Sequence, residues 1–250
     1  MEQQRPVVMS FAGLDPSGGA GLLADIKTFE QHRVYGLGVC TALTVQTASD
    51  FISVDWLPLP RILAQAKPLL ATETVSYCKI GIMADVQSLL ELVRTIKHLS
   101  PGIRIVLDPV LKASAGHTFH NSIPRQAWLE LLPELYLITP NYHEAVLLAG
   151  TGDGDEAAAQ LSTHCAVLLK GGHHQARPGE DALYTGNGIQ RLLPGPKQVH
   201  PKHGSGCVLS AAITANLALG CSLSDACANA KAYTENLLSS HPSLTGYHHI

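Results

Sequence analysis

Short runs of apolar residues alternate along this chain with longer segments in which apolar residues recur at helical spacing. The apolar runs are rich in Val, Ile and Leu, which is typical of strands that are buried on both faces. They cover residues 6–13, 36–47, 75–83, 103–110, 134–141 and 165–172. Because segments of helical length separate them, the pattern predicts βαβ units and a mostly parallel sheet with helices on both faces.

The segments between the strands have the spacing of amphipathic helices. Pro68 lies inside one of them and is expected to kink that helix or to end its first part. A further short helix is expected to begin at Tyr142. The longer predicted helices cover residues 19–32, 61–72, 86–99, 206–219 and 223–239.

Residues 181–193 break this rhythm. They predict a hairpin that turns at Gly186–Asn187–Gly188 and adds antiparallel strands to one edge of the sheet. The chain contains no internal repeat, charge block or long linker. We therefore expect one α/β domain over residues 1–250.

Composition narrows the range of function classes. With 250 residues, 46% of them hydrophobic, the chain is long enough for a sizeable core, and its net charge of −3 argues against a nucleic-acid partner. No apolar run is long enough to span a membrane, and the N-terminal residues lack a secretory signal. The six cysteines form no C-x-x-C, so neither a zinc site nor a disulfide framework is expected. These features favour a cytoplasmic protein.

Polar and glycine-rich segments follow the predicted strands. In open α/β sheets, ligands bind beyond the carboxyl ends of the strands, so these segments predict a functional site at that edge. The segments are GLDPSGGAG (13–21), QTASD (46–50), KIGIMAD (79–85), DPVLKASAG (108–116), TPNYHE (139–144), KGGHH (170–174) and HGSGC (203–207).

The segment HGSGC carries the strongest chemical signal. Gly204, Ser205 and Gly206 precede a predicted helix, whose free N–H groups and dipole would bind a phosphate. The same field is expected to lower the pKa of the Cys207 thiol, which would then accept a proton from a substrate hydroxyl. The alternative is a cysteine that only fills space. A nucleophile elbow does not fit, because Ser205 and Leu209 stand where glycine is required.

The first loop, residues 13–21, resembles a P-loop in the spacing of its glycines. That interpretation fails, because Gly19 stands where lysine is required and Ala20 where serine or threonine is required. Backbone at this glycine-rich turn can still approach a ligand closely.

Acidic and basic side chains at the same edge suit magnesium and ATP. Asp108 ends a predicted strand and Glu144 follows another, and one or two carboxylates together with phosphate oxygens form a typical Mg²⁺ site. Lys170 also ends a strand and would neutralise phosphate. Asn141 has two interpretations, contact with a ligand or a cap for the helix that begins at Tyr142.

Taken in order, these loops resemble those of the hydroxymethylpyrimidine/phosphomethylpyrimidine kinases of the ribokinase-like superfamily. Residues 13–29, GLDPSGGAGLLADIKTF, are similar to the family opening G-x-D-P-S-G-G-A-G-x-x-A-D-x-K-T-F, and HGSGC is similar to the ending H-G-[TS]-G-C. Between these two motifs, the segments ALTVQT, KIGIM, VLDPV, LITPNYHEAVLL and VLLKGGHH resemble family segments and follow in the same order. The likeness therefore covers nearly the whole chain.

The resemblance implies a three-layer α/β/α sandwich that uses ATP and Mg²⁺ and often forms a homodimer. It implies transfer of the ATP γ-phosphate to 4-amino-5-hydroxymethyl-2-methylpyrimidine, and then phosphorylation of the resulting monophosphate, in thiamine biosynthesis. By position, the pyrimidine would contact Gly13, Asp25 and Gln46, with Ile82 and Val110 lining its pocket.

The resemblance also distributes roles around the phosphate. Gly204, Ser205 and Gly206 would form an anion hole, with Cys207 as the catalytic base. The residues that would serve ATP are Asp108, Asn141 and Lys170, and those that would hold the metal are Asp108 and Glu144.

Three departures from the family pattern bear on substrate choice. Val208 replaces a threonine and has no hydroxyl to offer a phosphate, the Asn that follows Gln46 in the family is missing, and a lysine stands at Lys112, two places before the usual position, which Ser114 fills. We therefore expect a weaker second phosphorylation. Two alternatives stay open, a pyridoxal/pyridoxine kinase and a pyrimidine-binding regulator without turnover.

Overall fold

Nine strands form one sheet in the computed structural model, which describes residues 4–111, 124–173 and 177–249. The strands are β1 Val7–Leu14, β2 Tyr35–Gln46, β3 Phe51–Trp56, β4 Val75–Ile80, β5 Arg104–Leu107, β6 Leu137–Ile138, β7 Ala166–Leu169, β8 Asp181–Thr185 and β9 Gly188–Leu192. Their order across the sheet is β3-β2-β1-β4-β5-β6-β7-β8-β9. The six strands from β2 to β7 in this order are parallel to one another. Strand β3 pairs antiparallel with β2, β8 with β7, and β9 with β8.

Helices cover both faces of this sheet. They are α1 Gly21–Gln31, α2 Leu59–Thr72, α3 Val86–Leu99, α4 Arg125–Leu131, α5 Tyr142–Ala149, α6 Gly154–Leu161, α7 Ser205–Ala218 and α8 Leu223–Ser239. Helices α1, α7 and α8 pack on one face, and α2 to α6 pack on the other. The predicted three-layer α/β/α architecture, with its mostly parallel sheet and antiparallel edge hairpin, is confirmed.

Burial on both faces explains the apolar strands. In β5, Ile105 and Leu107 contribute to the core beneath α2 to α6, while Val106 between them packs with α7 and α8. Alternate side chains enter opposite cores, so few positions in such a strand tolerate a polar side chain.

Helix α7 is the most deeply buried helix of its face. Every residue from Val208 to Leu217 is buried, because the helix lies between α1, α8 and the sheet. Small side chains such as Ala211, Ala212 and Ala215 allow this close packing. The burial fixes the N-terminus of α7 at the carboxyl ends of the strands.

Three details of the secondary structure differ from the predictions. Of the two outcomes expected at Pro68, a kink or an end of the helix, the end is wrong, because α2 continues through it. Pro68 and Ala64, whose carbonyl loses its helical donor, are both at least partly exposed, so water can replace the bond. Strand β3 and helices α4 and α6 were not predicted. In β3 the exposed and half-buried positions do not form a buried apolar run.

Among the described residues, no helix combines the length and the apolar character needed to cross a bilayer.

Candidate active site

Helix α7 begins at a glycine in the left-handed region. Gly204 is its N-cap, with φ +76°, and the first helical hydrogen bond runs from Val208 N to the Gly204 carbonyl at 3.0 Å. The N–H groups of residues 205–207 therefore precede the helical ladder and point out of the N-terminus. A Cβ at Gly204 would lie 2.1 Å from Gly19 O and 2.6 Å from Ala20 Cα. Glycine is required here by conformation and by close backbone contact.

Gly204→Ala is expected to destabilise the protein more than the same change at Gly220. The left-handed conformation costs alanine about 1 kcal/mol at either position. Gly220 also has a positive φ, +89°, but a Cβ there would meet no atom of the described chain within 4 Å, whereas a Cβ at Gly204 would in addition clash with backbone. Urea unfolding of both variants measures the difference, and equal losses would contradict the packing of residues 19–20 against Gly204.

Asp15 organises the first loop. Its Oδ1 accepts a hydrogen bond from Ser17 N at 2.9 Å, and its Oδ2 accepts from Ser17 Oγ and Ala20 N, both at 2.8 Å. The fourth donor is Nε2 of His203, at 2.9 Å from Oδ2. Burial disfavours the carboxylate, but the bonds from His203 and Ser17 outweigh it and hold the pKa of Asp15 below its usual value. Sequence reasoning missed both Asp15 and His203, although each stands in one of the two most specific motifs.

A buried ion pair lies beneath the loops. Lys79 Nζ donates to Asp25 Oδ1 and Oδ2 at 2.8 and 2.7 Å, and Ser10 Oγ donates to Asp25 Oδ2 at 2.5 Å. Both charged side chains have 0% exposure. Asp25 is therefore held by Lys79 and Ser10 in the interior, and the pyrimidine contact that the resemblance implies for it stays a prediction. Its carboxylate is occupied by Lys79, a residue that sequence reasoning did not single out.

Cys207 lies half-buried in the first turn of α7, with the backbone of Gly21 near its thiol. Burial raises its pKa, and the carboxylates of Asp25 and Asp108 add to that rise, while Lys79 opposes it. The expected lowering of the pKa was therefore wrong. Desolvation and neighbouring negative charge outweigh the opposing effects of Lys79 and the Gly21 backbone.

Asp108, Lys170 and Glu144 form a charged cluster opposite the N-terminus of α7. Lys170 Nζ lies 2.7 Å from Asp108 Oδ1 and 3.8 Å from Glu144 Oε2. A Cβ at Gly206 would lie 3.4 Å from Lys170 Nζ and 3.6 Å from Asp108 Oδ2. The turn at residues 203–207 and the Lys170 ammonium therefore face each other.

Asn141 takes the capping role that the sequence left open. Its Oδ1 accepts from Glu144 N at 2.9 Å, and Glu144 Oε2 accepts from Asn141 N at 2.7 Å, which forms a capping box for α5. The box also fixes the direction of the Glu144 carboxylate toward Lys170. Burial raises the pKa of Glu144, and Lys170 opposes that shift.

The carboxylates of Asp108 and Glu144 suit Mg²⁺ chemically, because they are oxygen donors that converge on one cation, Lys170. Within residues 4–111, 124–173 and 177–249, no group of three or more His, Cys, Asp and Glu side chains is placed to hold a metal. An ion at this pair would thus need phosphate oxygens and water to complete its shell, as Mg²⁺ in ATP-dependent enzymes usually does.

The other predicted substrate residues lie at the ends of neighbouring strands. A Cβ at Gly13 would lie 2.4 Å from Ile82 Cδ1, so these two residues are in contact. Gln46 Nε2 donates to Thr44 Oγ1 at 2.9 Å, and Thr44 Oγ1 donates to Leu14 O at the same distance. The structure thus connects the Gln46 amide to the first loop.

Val110 follows β5 at the same edge of the sheet, two residues after Asp108. Lys112 and Ser114, where the sequence departs from the family pattern, lie outside the described residues.

Comparisons with known proteins agree with this geometry. A model of the phosphomethylpyrimidine kinase family matches residues 15–250. The chain is 35% identical over 247 residues to the hydroxymethylpyrimidine/phosphomethylpyrimidine kinase of Rhizobium meliloti, covering 95% of this chain and 92% of that protein. Among solved structures it is similar to the pyridoxal kinase from Staphylococcus aureus in complex with ADP, with TM-score 0.82 and 26% identity over 95% of this chain and 89% of that one. It is also similar to the phosphomethylpyrimidine kinase from Clostridium difficile 630, with TM-score 0.72 and 29% identity over 91% and 98% of the two chains. This chain belongs to the phosphomethylpyrimidine kinase family.

Proposed function

We propose that this kinase transfers the γ-phosphate of ATP to the hydroxymethyl group of 4-amino-5-hydroxymethyl-2-methylpyrimidine, and then phosphorylates the monophosphate, in thiamine biosynthesis. One observation carries the proposal. The free N–H groups of the α7 N-terminus face Lys170 and Asp108, with the Cys207 thiol in the same turn.

The geometry supports in-line phosphoryl transfer. The γ-phosphate would lie between the N–H groups of residues 205–207 and Lys170, which together stabilise the charge on its equatorial oxygens. The substrate oxygen forms a bond to phosphorus, the bond to the bridging oxygen of ADP breaks, and the hydroxyl proton passes to Cys207 Sγ. Bound by Asp108 and Glu144, Mg²⁺ would neutralise further phosphate charge. Most of the acceleration would then come from positioning and electrostatics.

The pyrimidine would lie against the first loop. Gly13 and Ile82 would form one wall, with Val110 nearby, and the Gln46 amide would pair with the aminopyrimidine edge, which offers both donor and acceptor positions. Asp25 would act from below by holding Lys79, whose charge favours the ionised form of Cys207.

The second phosphorylation is expected to be slower than the first. Val208 has no hydroxyl to donate to a second phosphate, and its backbone N–H already donates to the Gly204 carbonyl at 3.0 Å. Rates of ADP formation, measured separately with the pyrimidine alcohol and with its monophosphate, test both steps. Pyrimidine-dependent ADP formation is the expected result, and tight pyrimidine binding without ADP formation would overturn the proposal.

A pyridoxal kinase is the second candidate, favoured by the TM-score of 0.82 against the Staphylococcus aureus enzyme, compared with 0.72 for the phosphomethylpyrimidine kinase. Its substrate is also a hydroxymethyl heterocycle, so the same anion-binding turn would serve both reactions. The sequence relatives favour the pyrimidine.

We also propose a cytoplasmic homodimer. All six cysteines are free thiols, as in proteins of a reducing compartment. Leu43 and Val45 on β2 and Ile52 on the edge strand β3 are 45%, 49% and 69% exposed, and exposed apolar patches of this kind are commonly covered by a second chain. Sedimentation velocity tests the dimer.

A further inference from the structure

We propose that Asp15 and His203 form a clasp that holds the first loop against the anion-binding turn and so sets the position of the Cys207 thiol. The first loop is residues 13–21 and the anion-binding turn is residues 203–207. The inference rests on the proposed function only in that Cys207 is taken as the base. Both clasp residues act through other groups and are therefore positioning residues.

The clasp joins segments that are 188 residues apart in the chain. Asp15 is 1% exposed and His203 is 7% exposed, so water does not compete for the bond between Asp15 Oδ2 and His203 Nε2. The imidazole also packs on the first loop, because a Cβ at Gly19 would lie 2.8 Å from His203 Cδ2. From the other side, the backbone N–H of His203 donates to Leu244 O at 2.9 Å.

The contacts form a closed ring that includes the thiol. Asp15 accepts from Ala20 N at 2.8 Å, and the backbone of the next residue, Gly21, lies near enough to the Cys207 thiol to lower its pKa. Cys207 is connected along the chain to Gly204, whose backbone is in close contact with residues 19–20. The adjacent residue, His203, closes the ring through its bond to Asp15. Movement of the imidazole would therefore shift the loop that holds the thiol.

The environment of the other imidazole nitrogen, Nδ1, allows a variant that distinguishes positioning of the thiol from a purely structural role of His203. His203 Nδ1 is buried, and no hydrogen-bond partner for it is found in the described part of the chain. Leucine at this position would fill similar space and remove that unsatisfied atom, while Asp15 would keep its bonds from Ser17 and Ala20. Loss of the clasp is thus expected to affect the thiol more than stability.

Three variants test the proposal: His203→Leu removes the donor, His203→Gln keeps a donor at the place of Nε2, and His200→Leu is a control on the same segment. Measurements are kcat, the KM for ATP, the urea midpoint, and the iodoacetamide alkylation rate of Cys207 followed by peptide mass spectrometry. For His203→Leu we expect kcat to fall at least about tenfold with little change in KM or midpoint, because small displacements of a reacting group are costly. Its Cys207 alkylation rate should change several-fold.

His203→Gln should restore most of both kcat and the alkylation rate, and His200→Leu should match the wild type. A wild-type kcat and a wild-type alkylation rate in His203→Leu would overturn the proposal. So would a fall in kcat in His203→Leu that is accompanied by a lower urea midpoint and is not recovered in His203→Gln. If His203→Leu does not fold, His203→Gln with altered alkylation would overturn it too. The thiol measurement needs no turnover, so it is independent of which alcohol the enzyme phosphorylates.

Discussion

Cys207→Ala is expected to lower kcat by about 10²- to 10⁴-fold, the usual contribution of a positioned general base. The substrate hydroxyl would lose its proton acceptor, while the N–H groups of residues 205–207 and Lys170 would still bind phosphate. Dissociation constants for ATP and for the pyrimidine should therefore change little. Stopped or coupled ADP assays give kcat, and calorimetry gives the binding constants.

Cys221→Ala is the matched control, since Cys221 is also a half-buried free thiol but follows the C-terminal end of α7. Its kcat should equal that of the wild type. An unchanged kcat in Cys207→Ala would remove the base role and leave Cys207 as a residue that fills space.

The pH dependence of kcat gives a second view of Cys207. A base must be deprotonated, and the pKa of this thiol is raised, so kcat should increase with pH through and above the ordinary cysteine value of about 8.5. Cys207→Asp should move that limb to lower pH, because a carboxylic acid ionises well below a thiol. A limb at the same pH in both proteins would show that it belongs to another group.

Lys79→Met is expected to destabilise the protein by about 3–5 kcal/mol, because it leaves the Asp25 carboxylate buried without its partner. Asp25 would then take up a proton on folding, since burial already raises its pKa and Lys79 opposes that rise. A group with a raised folded-state pKa loses stabilisation as pH rises, so the deficit should be larger at about pH 8 than at about pH 5. Urea unfolding at both pH values measures it.

Two comparisons make this prediction specific. The double variant Asp25→Asn with Lys79→Met removes both charges and should recover much of the lost free energy of unfolding. Arg94→Met breaks an exposed pair, Arg94–Glu130, whose side chains are 55% and 45% exposed, and should cost less than about 1 kcal/mol. Equal losses for Lys79→Met and Arg94→Met would contradict a desolvated Asp25.

The layers of the fold could be predicted from the sequence because burial on both faces leaves a continuous apolar run in each central strand, as in β5. Strand β3 could not, since at the sheet edge it buries little and leaves no such run. The end of the helix expected at Pro68 was wrong for a related reason. The rule that proline ends a helix assumes that the freed carbonyl lacks a partner, and on an exposed face water supplies one.

The site was predictable where local sequence determines geometry. Gly204 and Gly206 stand at a helix start, and Lys170 and Asp108 end parallel strands, so topology alone brings them to one edge. The partner of Asp25 was not predictable, because Lys79 reaches it across 54 positions of the chain. Nor was the direction of the Cys207 pKa, because the helix field is a local feature whereas burial and the charges of Asp25 and Asp108 depend on the assembled fold.

The central claim is that the site phosphorylates a hydroxymethylpyrimidine. The most direct test compares kcat/KM for 4-amino-5-hydroxymethyl-2-methylpyrimidine with the values for pyridoxal and pyridoxine, under the same ATP and Mg²⁺ concentrations. We expect the pyrimidine to be preferred at least about tenfold, a difference of roughly 1.4 kcal/mol in transition-state stabilisation. A higher kcat/KM for either pyridoxine or pyridoxal would contradict the claim.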